Sequence, residues 1–391
     1  MSQALLWFGA AVSLAEILTG TFIAPLGLVK GLTAIVSGHV IGCVILYFAG
    51  LIGAKSELPA IESTKISFGK YGAYLFSVIN IVQLVGWTGV MIINGAKAFD
   101  VVTLSIFRYQ NEVLWCFLTA LFICIWVVAG FKNLSKINLF AVGSLFIFSI
   151  VLGYIVYFSG SSGSVEISDT VSFGAAMELS VVMPLSWLPL IADYTRNVRN
   201  KRAGTLYSAG AYFLGSTLMY AIGLGAALYA GTTDISIILL AAGLPAIALI
   251  IVLFSTVTTA FLDVYSASVS FSVLKRSNEK VVSILACLMG LAIAIIVPTS
   301  RYEGFLYLIG TAFAPLFAIT LTDYFILKKT KPLENAINLR NATLWVIGVV
   351  LYRVMMNVDT LLGSTLPTMI LLSLVCIVTD KIVKRKKNEH V

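Results

Sequence analysis

The sequence predicts an all-α polytopic membrane protein with twelve transmembrane helices. Three observations carry that prediction. The 391 residues are 59% hydrophobic and only 11% charged, and a mean hydropathy of +0.98 exceeds what a soluble fold can bury. Apolar segments long enough to cross a bilayer recur at 4–26, 33–53, 73–99, 113–130, 137–158, 174–194, 205–228, 244–273, 279–298, 304–327, 341–357 and 364–383. Finally, the basic residues segregate onto alternate loops: Lys55, Lys65 and Lys70; Lys132 and Lys136; Arg196, Arg199, Lys201 and Arg202; Lys275, Arg276 and Lys280; Lys328, Lys329, Lys331 and Arg340; and the tail from Lys381. The opposite side carries only Lys30, Lys97, Arg108, Arg301 and Arg353. This bias predicts a multi-pass protein of the cytoplasmic (inner) membrane with both termini cytoplasmic. A transmembrane barrel would need ~10-residue alternating segments, which are absent.

Taken in order, the first span reads FGAAVSLAEILTGTFIAPLG, with breakers Gly9, Gly20 and Pro25 around polar Ser13, Glu16 and Thr19. Its length and polar middle mark it as retained, not a cleaved signal peptide. The connection 159–172 has no basic residue and reads as an external loop separating two sets of five spans. The sixth span, ELSVVMPLSWLPLIADYTR, holds Pro184 and Pro189. Proline removes a backbone donor and frees carbonyls that lipid cannot satisfy. Such prolines can simply kink packed helices. Breaks at the head of each five-span half point instead to an inverted repeat with a site between its halves, residues 1–158 against 174–327, with two additional helices over 341–383.

The third span (NIVQLVGWTGVMIINGAKAF) places Asn80, Gln83, Trp87 and Asn94 at helical spacing, with Gly86 and Gly89 allowing close approach by a ring or a helix. Trp87 lies in mid-span, away from the interfacial belt where an anchor would sit. In the eighth span, Ser255, Thr259 and Asp263 stack on one face beside Thr258 and Ser266. A carboxylate at the bilayer centre costs roughly 2.5–3.5 kcal/mol on insertion scales. It is either tied into helix packing or belongs to a midplane site for a cation and a polar solute, and the broken spans favour the second. Glu16, deep in the first span, is expected to face the same cavity. Asp193 with Arg196 and Asp323 with Lys328 read as interfacial pairs, and Glu178 sits near the outer start of span six.

Several classes are excluded. Cys43, Cys116, Cys124, Cys287 and Cys376 have no CxxC spacing, and His39 and His390 offer no His-based metal cluster or catalytic arrangement. There is no nucleotide loop and no signalling domain, so neither a membrane enzyme nor a receptor fits, and the +8 net charge gives no reason to invoke nucleic acid. No cofactor is expected.

The third-span QLVGWTGV, the sixth-span ADYTR, the eighth-span TTAFLDVYSAS and the tenth-span APLFAITLTDYFILKK together resemble the nucleobase–cation symporter family of cytosine, purine and hydantoin permeases. Within that family the chain resembles the branch of hydroxymethylpyrimidine permeases linked to uptake of a thiamine precursor. The resemblance implies a five-plus-five inverted repeat of the LeuT type, with spans one and six unwound and two further C-terminal helices. It implies a Na⁺ site between spans one and eight, with carbonyls from Gly9, Val12 and Ser255 and hydroxyls from Thr258 and Thr259. It also implies substrate stacked on Trp87 near Gln83, although the family's Gln lies at a slightly different offset from its Trp. The pocket around Glu16, Ser13, Pro184, Ser186 and Trp187 would complete the solute site. Where the family's sixth span tends to hold an aromatic, this chain has Pro184, and Trp187 one turn later is expected to take that place. Where cytosine-type carriers have an amide, this chain has Asp263, whose two oxygens suit a 4-aminopyrimidine edge. The expected function is import of a pyrimidine by Na⁺ symport with alternating access, by a monomer in the lipid bilayer. Cytosine or purine-like substrates and H⁺ coupling through Glu16 or Asp263 remain open.

Overall fold

Helices occupy each of the twelve predicted segments. The structure is a computed structural model that describes residues 3–158, 171–233, 238, 246–333 and 336–388. The predicted external loop 159–172 and the tail residue His390 therefore lie largely or wholly outside the described residues. Span one is two helices, α1 (Gln3–Ala11) and α2 (Leu14–Thr21); span two is α3 (Leu28–Ser56). A short α4 (Ala60–Ser63) precedes α5 (Lys65–Phe107), which contains span three. Spans four and five are α6 (Glu112–Ala129) and α7 (Phe131–Phe158), and span six is α8 (Phe173–Ser186) with α9 (Leu188–Thr195). The remainder are α10 (Lys201–Ala230), α11 (Ala246–Leu274), α12 (Glu279–Ile296), α13 (Tyr302–Leu321), α14 (Leu339–Met355) and α15 (Thr365–Asn388). Among the described residues, nine helices are long and apolar enough to cross a membrane, and the bent pair α1–α2 makes a tenth. The apolar part described for α7 and the whole of α14 are 17 residues each.

Local chemistry sets the helix starts. The side chains of Asn111, Ser172, Asn200 and Asn338 each accept a hydrogen bond from an amide in the first turn of the following helix, filling a donor that the helix leaves open. At the span-one break, the Ser13 amide donates to Ala11 O instead of Gly9 O, and the axis turns by 47°. Ser13 then caps α2 by accepting from the Glu16 amide at 3.4 Å. Span six is interrupted less. Trp187 stays in the right-handed helical region (φ −89°, ψ −8°), and residues 173–195 still form one apolar crossing. This span is therefore less unwound around Pro184 and Pro189 than expected.

The spans sort into two packed groups. Spans one, two, six and seven pack together, as do spans three, four, eight and nine. Exchanging spans for their counterparts five places along reproduces the main pairings: three packs on four as eight packs on nine, and two on six as seven on one. That is the packing expected of a five-plus-five inverted repeat. Spans eleven and twelve lie against span ten. Small residues permit the closest crossings: a side chain at Gly223 would run into the Ile17 carbonyl, so α2 and α10 meet backbone to backbone. Gly86 and Gly89 admit the close approaches expected of them, Gly86 of the Phe305 ring and Gly89 of the Gly290–Ile293 turn of α12.

Charged groups near the span ends depart from the expected pairs. Asp193 caps α4, with Oδ1 accepting the Ala60 amide at 2.9 Å. Asp323 is paired with Lys329 (2.7 Å) instead of Lys328, and Lys329 also reaches Asp380, which binds Arg340 and Lys384. Glu178 is buried and receives Tyr352 Oη, the amides of Ser364 and Thr365, and Thr365 Oγ1. It therefore ties span six to the two C-terminal helices. Glu178→Ala strips four donors of their acceptor, which should lower stability by on the order of 3 kcal/mol. Thermal unfolding of detergent-purified protein measures this, and an unchanged midpoint would show that the tie contributes nothing.

Candidate functional site

The break in span one opens a small cavity between the two helix groups. It is lined by Ala10, Ser13, Ala15 and Glu16 of span one, Leu84, Trp87 and Met91 of α5, Met183, Ser186, Trp187 and Leu190 of span six, and Asp263 of α11. Its free space is about 10 Å³, room for about one water molecule. Six of the eight predicted solute-site residues therefore come together: Ser13, Glu16, Trp87, Ser186, Trp187 and Asp263.

The other two differ. Gln83 is buried beside the cavity, its amide nitrogen donating to Ser186 O (2.9 Å) and Asn80 Oδ1 (3.2 Å). Pro184 does not line the cavity; it packs against Gly42 of α3. One residue along a helix is ~100° of rotation, so Met183 takes the cavity face that Pro184 was expected to hold.

The stripe on α11 faces protein as expected. Thr258, Thr259, Asp263 and Ser266 are all buried, and α11 packs against α1. The side chain of Ser255 lies outside the described residues. Gly9 and Val12 flank the break, where the Gly9 carbonyl is not taken by the amide four residues on. Several buried polar atoms around the cavity have no protein partner: Asp263 Oδ2, Thr259 Oγ1, Gln83 Oε1 and Trp87 Nε1. Buried polar atoms are nearly always paired, so a cluster of unpaired ones marks a place built for something else to bind.

Aromatic rings shut the cavity on both sides. Toward the N-terminal end of α1, Trp7 packs edge-on against Trp187 (5.5 Å), Tyr194 (5.8 Å) and Tyr212 (6.1 Å), and Gln3 bonds Tyr194 O and Ser208. Toward the other side, Tyr302 of α13 meets Trp87 (5.9 Å) and Phe22 (5.9 Å), and its hydroxyl lies 3.0 Å from Thr19 Oγ1.

Sequence reasoning missed one group that touches this site. Tyr212 and Ser216 of α10 each bond a Glu16 oxygen at 2.6 Å, and His39 of α3 lies 2.6 Å from Ser216 Oγ. The signal was present: Tyr212, Ser216 and Tyr220 recur every fourth residue along the seventh span, one polar face of an otherwise apolar helix. Among the described residues, no cluster of three or more His, Cys, Asp or Glu is arranged to hold a metal.

The seal at Tyr302 yields a testable outcome. Tyr302→Phe deletes one hydrogen bond between α2 and α13, worth about 0.5–1.5 kcal/mol, so the share of molecules open on that side should rise roughly 2- to 10-fold. The readout is the rate at which a Cys placed at Ser186, in a background lacking native cysteines, reacts with a soluble maleimide. Equal rates in the two proteins would show that this contact does not hold the cavity shut.

The geometry can now be set beside known proteins. The family model described as "Permease for cytosine/purines, uracil, thiamine, allantoin" matches residues 1–377. The cytosine permease of Escherichia coli K12 is 26% identical over 298 residues, covering 74% of this chain and 69% of that protein. Among solved structures, the nucleobase-cation-symport-1 family transporter Mhp1, closed with bromovinylhydantoin bound, superposes with a TM-score of 0.77 at 17% identity over 96% of this chain and 91% of that one. A Na⁺-coupled sialic acid symporter in a substrate-bound outward-open state gives 0.61 at 16% identity, over 95% and 88%. These two likenesses are of fold. The match along nearly the whole sequence identifies more: this chain belongs to the family of permeases for cytosine, purines, uracil, thiamine and allantoin.

Proposed function

We propose that the chain is a secondary transporter importing an aminopyrimidine, with hydroxymethylpyrimidine the leading candidate, by Na⁺ symport with alternating access. The observation that carries the reading is Asp263: a buried carboxylate on the cavity wall whose Oδ2 has no hydrogen-bond partner. A carboxylate accepts two parallel hydrogen bonds, and a 4-aminopyrimidine offers an exocyclic N–H beside a ring nitrogen that can be protonated. A uracil-like edge turns a carbonyl toward the same oxygens and is repelled. Trp87 and Trp187 supply aromatic faces from opposite helix groups, and the unpaired Gln83 Oε1 is a further acceptor nearby. The E. coli relatives are cytosine permeases, which agrees with an amino-substituted pyrimidine as substrate class.

The ion site in this reading lies between spans one and eight. Na⁺ is a hard cation that prefers several oxygens, and a broken helix provides carbonyls without adding charge. Gly9, Val12 and Ser255 would contribute carbonyls, with hydroxyls from Thr258 and Thr259; the buried, unpartnered Thr259 Oγ1 supports this. Because span one would contribute Gly9 and Val12 to the ion and also lines the cavity through Ala10 and Ser13, ion and solute would stabilise one arrangement of the break.

The cavity admits about one water molecule as it stands, so solute binding requires the two helix groups to part and then reclose. A thermal-shift screen of purified protein against pyrimidines, purines and thiamine fragments, with and without sodium, tests the reading directly, since a ligand of the folded state raises its apparent stability. Hydroxymethylpyrimidine should give the largest sodium-dependent shift. Asp263→Asn should weaken it by at least ~10²-fold, within the up-to-~10⁴-fold discrimination that a polar site deprived of its partner can reach, and should favour cytosine-like rings. Undiminished affinity in that variant would remove Asp263 from the substrate site. Thr258→Ala should raise the sodium concentration needed for half-maximal binding, and an unaltered sodium dependence would count against the ion site.

A further inference from the structure

Glu16 sits one helical turn beyond the span-one break, and its carboxyl group is held from behind by a chain of groups leading away from the cavity. Tyr212 Oη donates to Oε1 at 2.6 Å, and Ser216 Oγ lies 2.6 Å from Oε2. Ser216 Oγ is also 2.6 Å from His39 Nε2, while His39 Nδ1 lies 2.9 Å from the Ile35 carbonyl. All of these side chains are buried.

Counting hydrogens along this chain decides its protonation. A carbonyl only accepts, so the hydrogen at Ile35 O belongs to Nδ1, and in a neutral imidazole Nε2 is then a bare acceptor. Ser216 has a single hydroxyl hydrogen. With Glu16 ionised and His39 neutral, that hydrogen would have to serve both Nε2 and Oε2, leaving two lone pairs opposed at 2.6 Å. One additional proton removes the conflict: Glu16 Oε2–H donates to Ser216 Oγ, Ser216 Oγ–H donates to Nε2, and Nδ1–H donates to Ile35 O. Every polar atom is then matched and the chain is uncharged. Placing the same proton on His39 would instead create an imidazolium and a carboxylate separated by a hydroxyl in a dry site, with the desolvation cost of both ions.

We propose that Glu16, Ser216 and His39 form a proton-binding site, distinct from the Na⁺ site, that is filled when the cavity is closed, with the proton resting on Glu16. The titratable groups facing Glu16 from surrounding helices are Cys43 of α3, Tyr212 and Tyr220 of α10 and Tyr302 of α13, with Asp263 of α11 across the cavity. None of these is a cation that would hold Glu16 ionised. Glu16 lines the cavity, and its partners Ser216 and His39 on α10 and α3 belong to the same helix group as α2, so this chain of groups stays assembled when the two groups part. Opening of the cavity brings water to Oε2 and lets the proton leave; reclosure takes a proton up. That cycle would couple proton movement to solute movement, a step that rests on the transport reading above, whereas occupancy of the site does not.

Infrared spectroscopy of purified protein at neutral pH tests occupancy without any ligand. Wild type should show a hydrogen-bonded, protonated carboxylic C=O band that shifts in D₂O, disappears in Glu16→Gln and persists in Asp263→Asn. The Gln amide can donate to Ser216 and accept from Tyr212, so Glu16→Gln should unfold at nearly the wild-type temperature. If wild type and Glu16→Gln have the same carboxylic band, the site is overturned. Coupling is read separately in proteoliposomes with hydroxymethylpyrimidine supplied outside and no sodium gradient. An inward proton gradient should raise the initial uptake rate several-fold in wild type and leave Glu16→Gln unresponsive. A Glu16 band with no response to the gradient, in protein that binds the pyrimidine in the thermal screen, would overturn the coupling; failure of every pyrimidine in that screen would defeat the substrate reading and leave the infrared result standing.

Discussion

A polar group placed in the hydrocarbon layer has no water to bond, and that constraint organises this molecule. Four of the buried carboxylates meet it in four different ways. Asp323 lies where the tenth span ends and is neutralised by Lys329, with Asn341 as a second partner. Glu178 gathers four donors from the last two helices and so becomes a joint between them and span six. Glu16 is matched by hydroxyls of the seventh span. Asp263 retains an oxygen with no partner at all. The first two are solutions a rigid framework needs. The last two face one cavity, and of these four it is the pair whose polar balance is left for a bound species to complete.

The same constraint explains why the cavity sits at a helix break. A continuous helix uses its own carbonyls, so it can offer a ligand only side chains. At Val12–Ser13 the hydrogen-bond ladder is interrupted, the axis turns, and Ser13 recaps the chain by accepting the Glu16 amide of α2. Backbone groups become available in the membrane interior precisely where the surrounding helices shield them from lipid. Span six makes a lesser departure, because Trp187 between its two helices keeps helical dihedral angles and residues 173–195 remain one crossing. The two halves of the repeat are thus alike in packing but unequal in how far each leading helix is broken.

Much of this was legible in the sequence, for definable reasons. Helix existence follows from apolar length, and each predicted segment contains one. The inward face of the eighth span followed from hydroxyls and Asp263 at helical spacing, and mid-span Trp87 followed from its distance from the interface. The failures are failures of rotation and partner choice. Pro184 and Met183 are adjacent in sequence but face different neighbours, and the breaker signal drew attention to the proline. Asp193 was matched to Arg196, which does act on it electrostatically, but its hydrogen bond goes to a short helix more than a hundred residues earlier. The Tyr212–Ser216–His39 chain joins spans two and seven across long sequence separations, and only the packed arrangement reveals that these groups meet Glu16.

The break also determines how two seals can operate independently. The first piece of span one closes one side through Trp7 against Trp187, Tyr194 and Tyr212. The second piece closes the other side through Thr19 against Tyr302. Were span one a rigid rod, tilting it to release one seal would disturb the other in the same movement. With the ladder interrupted between them, α1 can loosen its aromatic contacts while α2 stays backbone to backbone against α10 through Gly223, or the reverse. Alternating access needs one seal to open while the other holds. In this chain the residues of that break, Val12 and Ser13, lie between the two seals and beside the cavity, so the point that can flex is also the point a bound solute or ion would touch.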